Sequence, residues 1–259
     1  MTIITKGKYC ITYKDILNSA KRISNFIPPS PVLTNPKINS FCNGSELYFK
    51  LEALQQSGSF KIRGALNAIL SLLERKKEQN GPLKVITHSS GNHGAALSLA
   101  SKLISSSTAQ VEATVISPRN IPNAKKDLIQ SNGADLILVR ENCFKTRIEK
   151  TEEIMSETGA VFIHPFENEL VMAGQGTTAL EMMYQIGDNS DCSMRNSIRN
   201  KNHFLESELQ RKIKERGTNA MDTVIIPVGG GALAASCSVI LRHTFGNKIK
   251  VISITIFNL

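Results

Sequence analysis

Short apolar runs alternate with amphipathic segments through the middle of the chain. The runs predict four strands: KVITHSS (84–90), VEATVIS (111–117), ADLILVR (134–140) and AVFIHP (160–165). The segments between them predict three helices: Asn92 to about Leu103, roughly Asn123–Asn132, and a helix through about Ser156. Near-continuous apolar strands joined by helices are typical of a parallel sheet that is covered on both faces.

The pattern changes after a further predicted helix, TTALEMMYQI (177–186). The segment 187–221 is polar and rich in asparagine, and we interpret it as a solvated surface insertion with a short helix near Leu205–Lys214. Beyond it, the sequence predicts a buried strand in DTVIIPV, a glycine turn, a helix, and a last strand in KIKVISITIF.

Composition narrows the class of protein. The chain has 259 residues, 41% of them hydrophobic and 20% charged, which is typical of a globular protein. The formal charge of +9 favours an anionic partner, either nucleic acid or a small molecule such as a phosphate. Aromatic residues make up only 5%, tryptophan is absent, and no block interleaves basic with aromatic residues, so we expect no nucleic-acid partner.

Cysteine usage and the chain start bear on location. Five scattered cysteines without a CxxC pair argue against a disulfide framework or a zinc site and fit a reducing compartment. The first fifteen residues lack the apolar run of a signal peptide, and no later stretch is long enough to span a membrane. The sequence therefore predicts a cytoplasmic enzyme or binding protein that is not associated with a membrane.

Three turns have the same context. SSGNHG (89–94) and VGGGAL (228–233) each follow a predicted strand, and Lys61 follows the strand-like ELYFKLE (46–52) through a short turn. In parallel α/β sheets, ligands bind where the carboxyl ends of strands lead into helix N-termini. We expect the three turns to converge on one crevice.

The glycine turn has two interpretations. Gly229, Gly230 and Gly231 allow a close approach to the backbone, and their N–H groups, with those of Ala232 and Leu233, would form a phosphate cradle at a helix N-terminus. The alternative is a tight strand-to-helix turn without a ligand. The turn matches neither a P-loop nor the dinucleotide spacing GxGxxG.

The other two turns also leave alternatives open. A lysine held against apolar neighbours, as Lys61 is between Phe60 and Ile62, loses hydration and becomes a nucleophilic amine, although a snorkelling lysine would have the same sequence. Ser89, Ser90, Asn92 and His93 offer donors for a carboxylate and a hydroxyl for proton transfer, or else Ser90 and Asn92 cap the next helix. His164 is predicted to be structural, and no residues have transition-metal spacing, so no metal is expected.

Four motifs occur in a characteristic order: SGSFKIRGALNA, THSSGNHGAAL, AGQGTTALE and IPVGGGALAAS. Together they resemble the pyridoxal-phosphate enzymes of the tryptophan-synthase-β type, and within these the serine racemases and threonine dehydratases. The resemblance runs from about Thr12 to Val251 and is interrupted only by the insertion.

The resemblance implies the α/β fold of fold type II pyridoxal-phosphate enzymes, with two parallel-sheet domains and the cofactor in the cleft between them. The large domain would comprise 1–83 and 161–259, with the insertion at about 187–221, and the small domain 84–160. Family members continue beyond the last strand of this chain, so we expect a large domain that is incomplete at its C-terminus. Homodimers are expected of the full-length family.

The resemblance also implies roles for individual residues. Lys61 would form the Schiff base with the cofactor pyridoxal 5′-phosphate, Phe60 would pack beside its pyridine ring, and Asn92 would hydrogen-bond its 3-hydroxyl. The phosphate would be held by Gly229, Gly230, Gly231 and Ala232. The substrate carboxylate would be held by Ser89, Ser90, Gly91, Asn92 and His93, with the Ser90 hydroxyl as the acid/base opposite Lys61.

The implied activity is β-elimination from serine or threonine, giving a 2-oxo acid and ammonia. Serine racemisation is the alternative, and a C-terminally truncated, non-catalytic relative that binds the cofactor is a further one. Phe166 fits the dehydratase pattern, whereas Ala232 replaces the fourth glycine of the family's phosphate loop. Gln56 and Ala95 argue against activation by ATP, and Thr255 argues against the family's divalent-cation site.

Overall fold

The structure is a computed structural model that describes residues 10–75, 81–89, 91–140, 144–186 and 221–255. The insertion predicted at 187–221, with its helix near Leu205–Lys214, lies outside the described residues except for Met221. Ser90 also lies outside them.

The N-terminal part contains two helices and a small antiparallel pair of strands. α1 (Tyr13–Ile23) begins with a capping box, in which the Thr12 side chain accepts a hydrogen bond from the Asp15 N–H and the Asp15 carboxylate accepts one from the Thr12 N–H. β1 (Val32–Leu33) pairs with β2 (Phe49–Lys50), and α2 (Pro36–Phe41) lies between them in the chain. The strand predicted over 46–52 is therefore limited to two residues. A single 3₁₀ turn and a short loop then lead to α3 (Lys61–Arg75).

The predicted parallel sheet is confirmed. Its strands are β3 (Leu83–His88), β4 (Val111–Pro118), β5 (Asp135–Val139) and β6 (Val161–Phe162), in the spatial order β5-β4-β3-β6. All three strand pairs are parallel. The predicted helices between them are α4 (Asn92–Ser105), α5 (Asn123–Ser131) and α6 (Phe144–Thr158). Because β6 neighbours β3, the ends of these two strands lie side by side.

The next helix, α7 (Glu169–Ile186), begins eight residues before the predicted start at Thr177. That prediction was wrong because the segment contains Gly174 and Gly176, which have low helix propensity but serve close packing here. A Cβ atom on Gly174 would lie 2.5 Å from the Arg63 carbonyl oxygen and 2.6 Å from the Gly64 Cα. The glycines of α3 and α7 thus allow the two helix backbones to approach each other closely.

The C-terminal part is a strand-helix-strand unit. β7 (Thr223–Pro227) pairs in parallel with β8 (Lys250–Ile254), and α8 (Ala232–Phe245) connects them. One face of this small sheet exposes Ile225, Ile252 and Ile254. No described helix is long and apolar enough to cross a membrane.

The described residues form three hydrophobic cores, and two of them hold the elements around Lys61 together. In the first core, α3 and α4 pack against the β3–β4 sheet through residues such as Ile62, Leu66 and Leu97. In the second core, α1 and α7 pack against β7 and α8 through residues such as Ile16, Leu180 and Ile240. α3 also packs along α7, so its first turn lies where the elements of the two cores meet. The predicted division into domains 1–83 with 161–259 and 84–160 remains a prediction.

Candidate active site

Lys61 is the first residue of α3 and is half-buried. The turn before it is tight, with Gly58 at a φ of 73°, which favours glycine. The Lys61 Nζ donates a hydrogen bond of 2.7 Å to the Pro165 carbonyl oxygen and lies 5.2 Å from the centroid of the Phe60 ring. Burial lowers the pKa of Lys61 to about 8. Since no described carboxylate forms an ion pair with it, the free amine is accessible near neutral pH.

The segment that follows β6 links the three predicted turns. Its Ile163 carbonyl accepts a hydrogen bond from the His93 ring, and its Pro165 carbonyl accepts the one from Lys61. The Phe166 ring lies against the glycine turn, where a Cβ atom on Gly230 would be 2.6 Å from the Phe166 Cδ1. Lys61, the turn after β3 and the turn after β7 therefore converge on this segment.

The sequence predicted a structural role for His164 and gave Phe166 a dehydratase-like identity, but it did not predict that this segment would link the three turns. The signal was present, because the segment follows a strand as the other turns do. His164, predicted to be structural, fixes its course: the His164 Nδ1 accepts hydrogen bonds from the backbone N–H groups of Phe166 and Glu167, at 3.3 and 2.7 Å. The ring of His164 also packs edge-on against Phe166, with 4.5 Å between the ring centroids.

His93 is buried on the first turn of α4, with 2% of its surface exposed. Its Nε2 lies 3.1 Å from the Ile163 carbonyl oxygen. Burial, with the nearby charge of Lys61 as a smaller cause, lowers the pKa of His93 to about 3. The ring is therefore neutral at pH 7 and carries its proton on Nε2, since a carbonyl can only accept. The Nε2 of the ring is committed to the Ile163 contact, while its buried Nδ1 has no hydrogen-bond partner among the described residues. The backbone N–H groups of Asn92 and His93, in the first turn of α4, remain for a ligand.

The turn after β3 holds its shape without a side-chain cap on α4. The Ser89 N–H donates to the Ile116 carbonyl of the neighbouring strand at 2.9 Å, and the Ser89 Oγ accepts from the Gly91 N–H at 3.2 Å. Gly91 is the N-cap residue of α4, and no side chain caps the helix there. The alternative that Asn92 caps α4 is therefore wrong, because Asn92 is already the first helical residue. Ser89 and Gly91 place the backbone on both sides of Ser90.

Asn92 is exposed, and its amide has a defined orientation. The Lys125 Nζ on α5 donates a hydrogen bond of 2.7 Å to the Asn92 Oδ1. A lysine amine has donors only, so the acceptor must be the amide oxygen. The Asn92 Nδ2 therefore remains as a donor for another group.

The glycine turn leads directly into α8. Gly231 is the N-cap residue with a φ of 83°, in the left-handed region that favours glycine. A Cβ atom on Gly229 or Gly231 would meet no atom within 4 Å, so there is open space beside these two residues. Ala232 is the first residue of α8, which means that its methyl group is tolerated in place of the family's fourth glycine. A helix N-terminus of this kind is suited to a phosphate.

Comparison with known proteins gives a consistent result. The family described as "Pyridoxal-phosphate dependent enzyme" matches residues 23–194. Serine racemase of Mus musculus is 34% identical over 236 residues, which are 91% of this chain and 58% of that protein. Serine racemase of Dictyostelium discoideum is 37% identical over 241 residues, 93% of this chain and 61% of that protein. The chain thus spans about three fifths of the length of these curated relatives.

Solved structures agree with the sequence relatives. The crystal structure of the Dictyostelium discoideum serine racemase superposes with a TM-score of 0.72 at 36% identity, over 95% of this chain and 66% of that one. The crystal structure of a threonine deaminase from T.th. gives a TM-score of 0.72 at 28% identity, over 95% and 65% of the two chains. These matches bear out the resemblance carried by the four motifs and the α/β fold that it implied. The chain belongs to the pyridoxal-phosphate dependent enzymes of fold type II.

Proposed function

We propose that this chain carries the pyridoxal-phosphate site of an enzyme that racemises serine. The single observation that carries the proposal is the half-buried amine of Lys61, which donates to the Pro165 carbonyl and has no carboxylate partner among the described residues. Burial lowers the pKa of this amine to about 8. Relatives named serine racemase, at 34% and 37% identity, favour racemisation over the dehydratase activity that the sequence analysis placed first. We therefore propose racemisation as the first candidate activity and β-elimination as the second.

The residues present fit the cofactor. Lys61 would hold the aldehyde group, and the N–H groups from Gly229 to Ala232 at the start of α8 would hold the phosphate, beside the open space at Gly229 and Gly231. The Asn92 Nδ2, left free as a donor by the Lys125 hydrogen bond, would serve the 3-hydroxyl. Phe60 remains proposed to pack beside the pyridine ring of the cofactor, since its own ring lies next to the Lys61 amine.

When bound, pyridoxal phosphate withdraws electrons from the α-carbon of an amino acid and makes its hydrogen acidic. Racemisation then requires one group to remove this proton and a second to return one on the opposite face. Lys61, with a pKa of about 8, is suited to exchange a proton near neutral pH. Ser90 is proposed as the second group. Within the clamp proposed from Ser89 to His93, the backbone N–H groups of Asn92 and His93 at the N-terminus of α4 would hold the substrate carboxylate. The backbone N–H groups of Ser89 and Gly91 already donate elsewhere, to the Ile116 carbonyl and to the Ser89 Oγ.

β-Elimination is the second candidate, and it shares the first proton transfer with racemisation. Phe166 favours it, because the residue fits the dehydratase pattern and lies directly against Gly230 of the glycine turn. The likeness to a threonine deaminase structure at 28% identity supports it as well. Loss of the β-hydroxyl would lead to a 2-oxo acid and ammonia. Small hydroxy amino acids, serine and threonine, are therefore the proposed substrates of both activities.

The experiment starts with incorporation of the cofactor. The purified chain is incubated with pyridoxal phosphate and reduced with borohydride, and the labelled peptide is identified by mass spectrometry. We expect the label on Lys61 and its loss in the Lys61→Ala variant. Labelling spread evenly over exposed lysines, unchanged in that variant, would contradict the proposed site.

Turnover is measured on the same preparation. L-Serine and L-threonine are supplied, and D-serine and 2-oxo acid are quantified separately. D-Serine in excess supports racemisation, 2-oxo acid in excess supports elimination, and labelling of Lys61 without either product supports the non-catalytic relative. Ser90→Ala is expected to abolish formation of D-serine from L-serine, and full activity in that variant would refute the role of Ser90.

A further inference from the structure

A buried arginine lies two residues after Lys61. The side chain of Arg63 is 1% exposed and forms two bidentate ion pairs. The first joins Arg63 Nε and Nη2 to the Glu52 carboxylate, at 2.9 and 2.8 Å. The second joins Arg63 Nη1 and Nη2 to the Glu181 carboxylate, at 3.0 and 2.9 Å. One guanidinium thus connects α3 to the turn that precedes it and to α7.

A second cation completes this buried cluster. Lys50 on β2 forms an ion pair with Glu181 and donates to the Gln185 Oε1 at 2.7 Å and to the Ser30 carbonyl at 2.8 Å. Burial alone would raise the pKa of Glu181, but the charges of Arg63 and Lys50 outweigh it and lower the pKa. Glu181 is therefore ionised at neutral pH, and the cluster balances two cations with two carboxylates.

Lys61 and Arg63 leave opposite sides of the helix. Two residues correspond to a rotation of about 200° on an α-helix. On one side, Arg63 fixes the first turn of α3 to Glu52 and Glu181, and on the other, the Lys61 Nζ reaches the Pro165 carbonyl. The Gly64 N–H adds a hydrogen bond of 3.2 Å to the Gln175 Oε1 of α7. The first turn is held from both sides.

We infer that Arg63 is a positioning residue, whose two bidentate pairs hold the first turn of α3 so that the Lys61 amine stays at the cofactor site. This inference rests on the proposed function of Lys61. Net stability is a poor explanation for the cluster, because buried ion pairs are often no more stabilising than apolar residues of similar volume. A planar guanidinium that grips two carboxylates does, however, fix distance and orientation, which a flexible lysine cannot do.

The test measures the environment of Lys61 without the cofactor. The chain is labelled with a small acylating reagent over a range of pH, and modification of the Lys61 peptide is quantified by mass spectrometry. In the unaltered chain we expect half-maximal labelling near pH 8, because burial lowers the pKa of Lys61 to about 8. If the first turn loosens, Lys61 becomes hydrated and the midpoint rises toward the ordinary lysine value of 10.5.

Arg63→Lys keeps the charge and removes both bidentate pairs. In this variant we expect the pH midpoint of Lys61 labelling to rise by at least about one pH unit, which is a tenfold change in the protonation equilibrium of the amine. Arg22→Lys is the matched control, because Arg22 forms a bidentate pair with Glu74 at the other end of the same helix, with distances of 2.9 and 2.8 Å. Its midpoint is expected to remain within about 0.3 units of the unaltered chain.

A second variant separates positioning from folding. Arg63→Met combined with Glu52→Gln removes one positive and one negative charge together and leaves the Lys50–Glu181 ion pair in place, so no unpaired charge is created. Replacement of a buried ion pair in this way is often tolerated. The midpoint is expected to rise here as well. A folded variant with a lower melting temperature but an unchanged pH midpoint of Lys61 labelling would overturn the inference. Failure of both variants to fold would overturn it as well, because the cluster would then serve stability alone. Failure of the chain to take up pyridoxal phosphate would refute the proposed function but would leave this labelling result intact.

Discussion

The two ends of α3 contain the same kind of ion pair in different surroundings. At the N-terminal end, the side chain of Arg63 is 1% exposed, and those of its partners Glu52 and Glu181 are 12% and 10% exposed. At the C-terminal end, the Arg22 and Glu74 side chains are 21% and 57% exposed. The nitrogen-to-oxygen distances are the same within 0.2 Å, at 2.8 to 3.0 Å for Arg63 and 2.8 to 2.9 Å for Arg22. Distance therefore does not distinguish the two ends, and exposure to water does.

The difference matters because a buried charge loses its hydration. Once Arg63, Glu52 and Glu181 are removed from water, each depends on its partners, and loss of one leaves another unpaired at a high energetic cost. Arg22 and Glu74 keep water as an alternative partner. The charges that would be most costly to leave unpaired are thus those that hold the first turn of α3, which begins with Lys61. The position of this turn matters for the proposed site because it places the Lys61 amine.

The largest effect is expected from Glu181→Gln. The glutamine side chain would keep hydrogen-bonding capacity but not the charge. Arg63 would keep its pair with Glu52, whereas Lys50 would lose the carboxylate with which it forms its ion pair. We expect a loss of about 3–5 kcal/mol in the free energy of unfolding, measured by urea denaturation with circular dichroism. A loss below about 1 kcal/mol would mean that the buried ion pairs at one end of α3 contribute no more to stability than the exposed pair at the other end.

A smaller effect of opposite sign is expected from Lys61→Met. Burial lowers the pKa of Lys61 to about 8, which means that the protonated amine is destabilised in the folded chain. Without cofactor, methionine should therefore raise the free energy of unfolding at pH 7 by about 1–2 kcal/mol, allowing for partial exposure of the side chain. The same variant is expected to lose all labelling by pyridoxal phosphate at residue 61.

The pH dependence gives this prediction its control. Between the folded pKa of about 8 and the ordinary value of 10.5, the unfolded chain binds the proton that the folded chain has released. The free energy of unfolding of the unaltered chain consequently rises with pH in this window. The difference in free energy of unfolding between the unaltered chain and Lys61→Met therefore shrinks as the pH rises. The exposed Lys145 offers a matched variant, Lys145→Met, which should show no such change. A gain that persists undiminished at pH 10.5 would exclude burial of the charge as the cause.

Much of the fold could be predicted from the sequence because local pattern and tertiary structure agree there. β3 to β6 are apolar runs between amphipathic helices, and they form the expected parallel sheet. The prediction failed at α7, where Gly174 is disfavoured in helices by propensity but required by the close approach to Arg63 and Gly64 of α3. Contacts between segments that lie far apart in the chain leave no local signal.

The candidate site shows the same limit. Lys61, the turn after β3 and the glycine turn were identifiable because each follows a strand or strand-like run and begins a helix. Pro165 contributes only a carbonyl oxygen, which every residue has, so its identity as the partner of Lys61 required the structure. In the sequence, Arg63 is one more charged residue in a helix, and its partner Glu181 lies 118 residues away.

The smallest effect is expected from Glu74→Gln, the same chemical change as Glu181→Gln at the opposite end of α3. The Glu74 side chain is 57% exposed, so water can replace what the ion pair with Arg22 provides. Arg22 also retains its hydrogen bond of 2.7 Å to the buried Asn67, and no polar atom is stranded by the change. We expect a loss of about 0.2–1 kcal/mol in the free energy of unfolding at low salt. The loss in Glu74→Gln should shrink toward zero at about 1 M salt, because exposed charges are then screened within about 3 Å. The loss in Glu181→Gln should persist at this salt concentration, because water and ions do not reach the buried cluster. Both variants are measured by urea titration at the two salt concentrations. If Glu74→Gln lowers the free energy of unfolding as much as Glu181→Gln does, exposure to water is not the reason why the two ends of α3 differ.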